Sequence, residues 1–230
     1  MPYEYWFDAD ACWYAKTCDK YKKTGCDSSC IRYMEMHYLM NNSGIPRAQQ
    51  YAKALIPSKQ DIDAFMELKA IKDDIVQFVK NGESVYIYSE NLGNGKTTWS
   101  IKLMQKFFDQ VWAGNGFRVR GIFINVPTFL MKIKEGINRK DEDFETLREN
   151  LLKVDLVIWD DIASTKLSDF DHGMLLSYID SRKLSGLSNI YTGNLADDKL
   201  ADAIGNRLAS RVWNDSQIVH FVGADRRGVR

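Results

Sequence analysis

After Cys30 this chain of 230 residues has no cysteine. It has no net charge either, because 31 lysines and arginines meet 31 aspartates and glutamates. No apolar run reaches the roughly 18 residues of a membrane span. Each absence excludes something. Balanced charge excludes a global basic field, so any contact with nucleic acid must come from a local patch. The missing apolar run excludes a spanning helix. The start, Met1-Pro2-Tyr3-Glu4-Tyr5-Trp6, lacks the basic-then-apolar order of a signal peptide, so a cytoplasmic protein is expected. Internal repeats and low-complexity stretches are absent too.

What is present is unevenly placed. All four cysteines, Cys12, Cys18, Cys26 and Cys30, fall in the first 30 residues. In the cytosol a disulfide framework is not expected. Four thiolates satisfy a tetrahedral Zn²⁺, and a segment too small for its own core gains from a metal staple. The spacings are not the usual Cys-x-x-Cys pairs, so reduced, partly buried thiols are the alternative. His37 is read as a surface or packing residue. Tyr3, Tyr5, Trp6, Phe7, Trp13, Tyr14 and Tyr21 share this segment and suit a mini-core or a partner surface. The expected organisation is a Cys-rich module over residues 1–40, a linker and short helix over 41–60, and an ATPase domain over 61–230. Asn41-Asn42-Ser43-Gly44-Ile45-Pro46 marks the linker by its breakers.

Ile62, Phe65, Leu68, Ile71 and Ile75 recur at helical spacing, which predicts one amphipathic helix over 61–80. Asp61 is expected to cap it and Gly82 to end it. Beyond it, strands are predicted near 84–88, 121–126, 154–159, 188–192 and 217–222. Helices are predicted near 96–111, 127–136, 143–153, 173–184 and 197–213. This alternation implies an α/β fold: a five-stranded, mostly parallel sheet with helices on both faces. Ligand then binds at the carboxyl ends of the strands.

One such end reads Val85-Tyr86-Ile87-Tyr88, then Ser89-Glu90-Asn91-Leu92-Gly93-Asn94-Gly95-Lys96-Thr97-Thr98. Strand, glycine turn, Lys-Thr and helix form a phosphate-binding loop. Residues Asn91 to Thr98 are its candidate nucleotide contacts. Turn N–H groups face the phosphates of ATP, Lys96 reaches the β/γ-phosphates, and the Thr97 hydroxyl takes Mg²⁺. The usual first glycine falls at Glu90, whose carboxylate repels a triphosphate unless it turns away. A second strand end, Val154-Asp155-Leu156-Val157-Ile158-Trp159-Asp160-Asp161, delivers two acids. Asp160 is assigned to Mg²⁺ and Asp161 to polarising the attacking water.

Asn194, after the fourth strand, is placed to orient that water or touch the γ-phosphate; a plain Gly193-Asn194 turn is the alternative. Arg207 and Arg211 share a helix face four residues apart. Either suits transition-state stabilisation in a neighbouring subunit, or simply a solvated basic face.

With these groups in order, roughly residues 43–227 resemble the DnaC/DnaI-type helicase loaders among the AAA+ ATPases. The resemblance includes Ser43-Gly44-Ile45-Pro46, the loop at 93–98, the acidic strand end, Asn194, the Arg207–Arg211 helix and Gly223-Ala224-Asp225-Arg226-Arg227. It implies a P-loop AAA+ core without a C-terminal lid. The Cys-rich head looks like a short form of the DnaI-side zinc-binding, helicase-contacting region, and its brevity suggests a phage or mobile-element protein. The implied function is ATP-dependent placement of a DnaB-type hexameric helicase on single-stranded DNA in replication initiation, with self-association in the ATP state. Lys132, Lys134, Arg139 and Lys140 fall where this clade faces the strand, though Asp141, Glu142, Asp143 and Glu145 weaken such a patch. Glu90, and Asp161 where many AAA+ proteins carry glutamate, imply slow hydrolysis. An IstB-type transposition helper, an ATP-binding adaptor with little turnover and a zinc-headed repressor are the other readings. Zero net charge weighs against the last.

Overall fold

The computed structural model describes residues 7–51, 55–111, 117–136, 142–164 and 166–225. Its central layer is a sheet of β1 (Ser84–Tyr88), β2 (Gly121–Asn125), β3 (Leu156–Asp160), β4 (Ser188–Gly193) and β5 (Gln217–His220). The spatial order is β2-β3-β4-β1-β5, and every neighbouring pair is parallel. Strands buried on both faces read as continuous apolar runs, and β3 is buried along its whole length. The edge strand β5 is short and mostly exposed, which limits pairing with another chain.

Helices cover both faces. The period of two along β1 sends Val85 and Ile87 into one apolar cluster and Tyr86 and Tyr88 into the other. The first cluster takes Leu68 of α2 (Ile62–Asp73), Ile75 and Phe78 of α3 (Ile75–Lys80), and Trp99, Leu103 and Phe107 of α4 (Lys96–Val111). α1 (Ile31–Asn42) joins the same cluster through Met36, Leu39 and Met40, and Tyr14 ahead of it does so too. The second cluster packs Phe129 of α5 (Val126–Gly136), Leu151 of α6 (Glu142–Leu151) and Leu175 and Ile179 of α7 (Asp169–Leu184) on Trp159 and Tyr191. Leu200 of α8 (Asp197–Ile204) and Leu208 and Val212 of α9 (Asn206–Trp213) complete it. No helix among the described residues is long and apolar enough to cross a membrane.

Several boundaries and one cap differ from the sequence reading. The 61–80 helix is two, broken at Asp74, whose φ of −115° and ψ of 30° leave the helical region. Asp61 makes no side-chain cap; its Oδ1 instead accepts the Val222 and Gly223 N–H groups at 2.8 and 2.9 Å. The 197–213 helix is also two, broken at Gly205 with φ 79°. α7 starts at Asp169 rather than 173, because Ser168 and Asp171 form a reciprocal capping box. Of the short helix expected after Pro46, the described part is a 3₁₀ turn, Arg47–Gln49; residues 52–54 lie outside the described residues.

Two contacts set the sheet's position. Phe123 N–H donates to the Ser43 carbonyl at 2.6 Å, and a Cβ on neighbouring Gly44 (φ 74°) would stand 2.9 Å from the Phe123 oxygen. Only glycine admits that approach. Arg182 is fully buried and donates to Asn189 Oδ1 (2.8 Å) and to the carbonyls of Leu151 (2.7 Å), Val154 (2.9 Å) and Ser188 (2.6 Å). Burial pushes its pKa down to about 10, and four acceptors hold its fork between the end of α6 and the starts of β3 and β4.

Candidate nucleotide site

β4 lies between the strand that precedes the glycine loop and the strand that ends in the acids. The register pairs Tyr88 with Gly193 and Trp159 with Tyr191. The carboxyl ends of β1, β4 and β3 therefore finish side by side. Lys96-Thr97, Thr192 to Asn194 and Asp160-Asp161 meet there, at the usual ligand edge of such a sheet.

In the loop, Gly93 (φ 68°) and Gly95 (φ 101°) adopt left-handed backbone. Asn94 is buried and donates to Ser89 Oγ at 2.5 Å. Lys96 is buried at the start of α4, and its ammonium donates to Asn91 O (3.1 Å), Asn94 Oδ1 (3.4 Å) and Ser89 O (3.5 Å). The amine thus stands inside the loop. Asn91 donates its amide to Val222 O (2.9 Å) and Gly223 O (3.3 Å), which ties the loop to the chain after β5. Leu92 is exposed, and Thr98 is half-buried in the first turn of α4.

Glu90 does turn away. Its carboxylate lies 3.0 Å from His220 Nε2, and the His220 ring stacks on Tyr88 at 4.3 Å and 4°. A backbone hydrogen bond and His220 hold the Glu90 carboxyl below the usual glutamate range.

Asp160 is buried, and its Oδ1 accepts hydroxyl protons from Thr97 (2.8 Å) and Thr192 (2.7 Å). Burial raises its pKa, opposed by the Thr192 hydrogen bond. A hydroxyl and a carboxylate in contact beside a glycine loop are an oxygen set suited to Mg²⁺, which keeps water and phosphate as its other ligands. Asp161 leaves the strand in left-handed backbone (φ 58°) and donates its N–H to Thr192 Oγ1 at 3.0 Å. The turn, not a continued strand, separates the two acids. Asn194 follows with its Oδ1 buried and, among the described residues, without a hydrogen-bond partner, an acceptor beside the acids that a water or a ligand donor would satisfy.

Thr192 is the residue the sequence reading missed. Its hydroxyl links Asp160 to the Asp161 backbone, and its only sequence signal is a polar side chain ending an apolar strand.

Other expected residues lie apart. Arg211 pairs with Asp180 (2.6 Å) and Asp215 (3.5 Å) within its own chain. Arg207 is exposed, on the rim of a cleft of about 350 Å³ that also has Lys166, Asp169, His172 and Asp202 in its walls. Lys132 is exposed, and Lys134 is bound to Asp171 at 2.8 Å. Arg139 and Lys140 lie outside the described residues.

The zinc expectation finds no support in the structure. Among the described residues no group of three or more His, Cys, Asp or Glu side chains is arranged to hold a metal ion. Cys12, Cys18, Cys26 and Cys30 are free thiols. Cys12 and Cys18 pack against the apolar cluster under α4, so their sulfurs serve the core. Burial first, then Cys26, Cys30 and Cys18 nearby, pushes the Cys12 thiol up and disfavours a thiolate.

No family model matches the sequence, and no curated protein matches it. Solved structures do. The DnaC helicase loader superposes with a TM-score of 0.60 at 16% identity, over 80% of this chain and 98% of that one. DnaI gives 0.62 at 16% identity, over 76% and 94%. The replication initiator DnaA bound to AMPPCP and single-stranded DNA gives 0.58 at 17% identity, over 72% of this chain and 47% of that one. The fold is that of helicase loaders and replication initiators. Its loader-like extent covers nearly all of the DnaC chain, whereas DnaA carries much that this chain does not match.

Proposed function

We propose that this chain is an ATP-dependent loader that binds a DnaB-type hexameric helicase and places it on single-stranded DNA in replication initiation. The observation that carries the reading is the contact of Thr97 with Asp160 at 2.8 Å beside the buried Lys96, on a fold shared with DnaC along nearly its whole length. ATP sits at residues 91–98, with Lys96 and the turn N–H groups on its phosphates and Mg²⁺ on Thr97 and Asp160. Asp161 polarises water, and Asn194 orients it. The segment 1–40 contacts the helicase, 41–60 joins it to the core, and 61–230 is the ATPase domain. Arg207 serves a neighbouring subunit in the ATP-bound assembly, and Lys132 contributes to the strand contact. Light scattering on chromatographed mixtures tests the reading. A complex with a DnaB-type helicase that depends on ATP is expected. A protein that binds ATP and forms no such complex would sink the loader assignment.

A second reading has specific support. Glu90 at a glycine position and Asp161 in left-handed backbone both suit an adaptor that uses ATP to set assembly with little turnover. Turnover per bound ATP separates the two.

A further inference from the structure

A cleft of about 290 Å³ opens between the N-terminal segment and the outer face of α4. Four separate stretches of chain build it: Trp13 and Tyr14 before α1, Arg32 on α1, Lys72 on α2, and Lys102, Lys106 and Asp109 on α4. Four cations thus share one carboxylate. Asp109 is already engaged, accepting from Arg32 Nη2 at 2.6 Å and Lys106 Nζ at 3.4 Å. The next acid, Asp73 at the end of α2, holds Lys69 at 2.8 Å. Lys72 and Lys102 have no hydrogen bond or ion pair among the described residues. Burial, and then the charge of Lys72, lowers the Lys102 pKa, so the free cleft carries an electrostatic cost. Among the described residues, Trp13 Nε1 and Arg32 Nε are two further buried donors without partners, on side chains that line the cleft.

We propose that this cleft binds a phosphate group, held chiefly by Lys72 and Lys102, as a second anion site separate from the glycine loop. The chemistry favours phosphate over carboxylate. One arm of the Arg32 guanidinium, Nη2, is held by Asp109, and the two cations without a partner among the described residues are ammonium point charges. The volume admits a phosphate with its waters. In a chain of zero net charge, this concentration of unpaired lysines is a local feature. A phosphate there bridges the N-terminal segment to α2 and α4. The source is either a free phosphate compound or the backbone of a nucleic acid, and the two differ in length and salt response.

Calorimetric titration of pyrophosphate and of single-stranded oligo-dT decides between them. Both are titrated into Lys96→Ala, which silences the glycine loop, and into the same chain carrying Lys72→Gln and Lys102→Gln. Affinity is expected to fall at least about tenfold in the latter, with a melting temperature no lower than before. Binding of pyrophosphate identifies a site for free phosphate compounds; binding of oligo-dT alone identifies backbone phosphate. Lys72→Arg with Lys102→Arg is expected to retain binding. If the glutamine pair melts early, Lys102→Gln alone carries the same comparison. Undiminished affinity in the folded variants, or no binding of either probe, overturns the proposal.

Discussion

Glu90 stands where a phosphate-binding loop ordinarily has glycine, and its carboxylate leaves the loop by pairing with His220. Glu90→Gly is expected to tighten ATP binding by about twofold to tenfold, the effect of removing one screened surface charge near a triphosphate. Weaker binding in an equilibrium titration would mean that the His220 pair shapes the loop. Asp160 makes a prediction of opposite kind. Burial raises its pKa, so the folded state holds that proton more tightly than the unfolded state. Stability from this group is greatest at low pH. It declines as pH rises through the ordinary aspartate range, and at neutral pH the cost is fully present. Asp160→Asn should therefore raise the melting temperature of the nucleotide-free protein at neutral pH, shrink that gain near about pH 4, and weaken Mg²⁺-dependent ATP binding. Lys96, Thr97 and Asp160 were legible because the pattern that names them is local. Thr192 was not, because its role exists only once β4 lies between β1 and β3. The ion pair of Arg211 was hidden for the same reason. Asp180 approaches it only after α7 and α9 pack.

Helices and strands were legible where the apolar period was strong and both ends carried signals. α4 and β1 match the sequence reading residue for residue. Breaks inside a continuous apolar pattern were not. Asp74 and Gly205 interrupt helices whose core-facing side chains keep their spacing on either side. Gly205 was visible as a residue, but its φ of 79° is imposed by the turn between α8 and α9, where a Cβ would stand 3.0 Å from the His172 ring. Gly205→Ala should cost about 1 kcal/mol or more in chemical denaturation, from left-handed backbone plus that contact. Arg182 carries more. Replacing it with alanine takes the donor from three buried carbonyls at the junction of α6, β3 and β4, while Asn189 Oδ1 keeps the Trp159 indole N–H at 3.1 Å. A loss of about 3–5 kcal/mol is expected, and a loss under about 1 kcal/mol would show that water replaces the fork without penalty.

At the scale of the whole molecule, alternation alone implied a parallel sheet with two covered faces, but not its strand order, β2-β3-β4-β1-β5. The docking of the N-terminal segment on α4 was hidden, because Tyr14, Met36, Leu39 and Met40 show no partner until α4 is folded beside them. The zinc expectation finds no support at the same scale: among the described residues the four thiols form no metal-holding group, and two of them pack against the core. The exposed Arg207, unlike Arg211, is free to face a neighbouring copy. Arg207→Ala should leave ATP binding intact and lower turnover in the assembled state by about 10³-fold; unchanged turnover would remove it from catalysis. All of this depends on nucleotide at the glycine loop. The most direct measurement is equilibrium binding of ATP with Mg²⁺ to the wild-type chain and to Lys96→Ala, with melting curves for both. Saturable binding that falls at least about tenfold in a folded Lys96→Ala variant is the result this account predicts. Equal affinity in the two proteins, or no binding to the wild type, would contradict it.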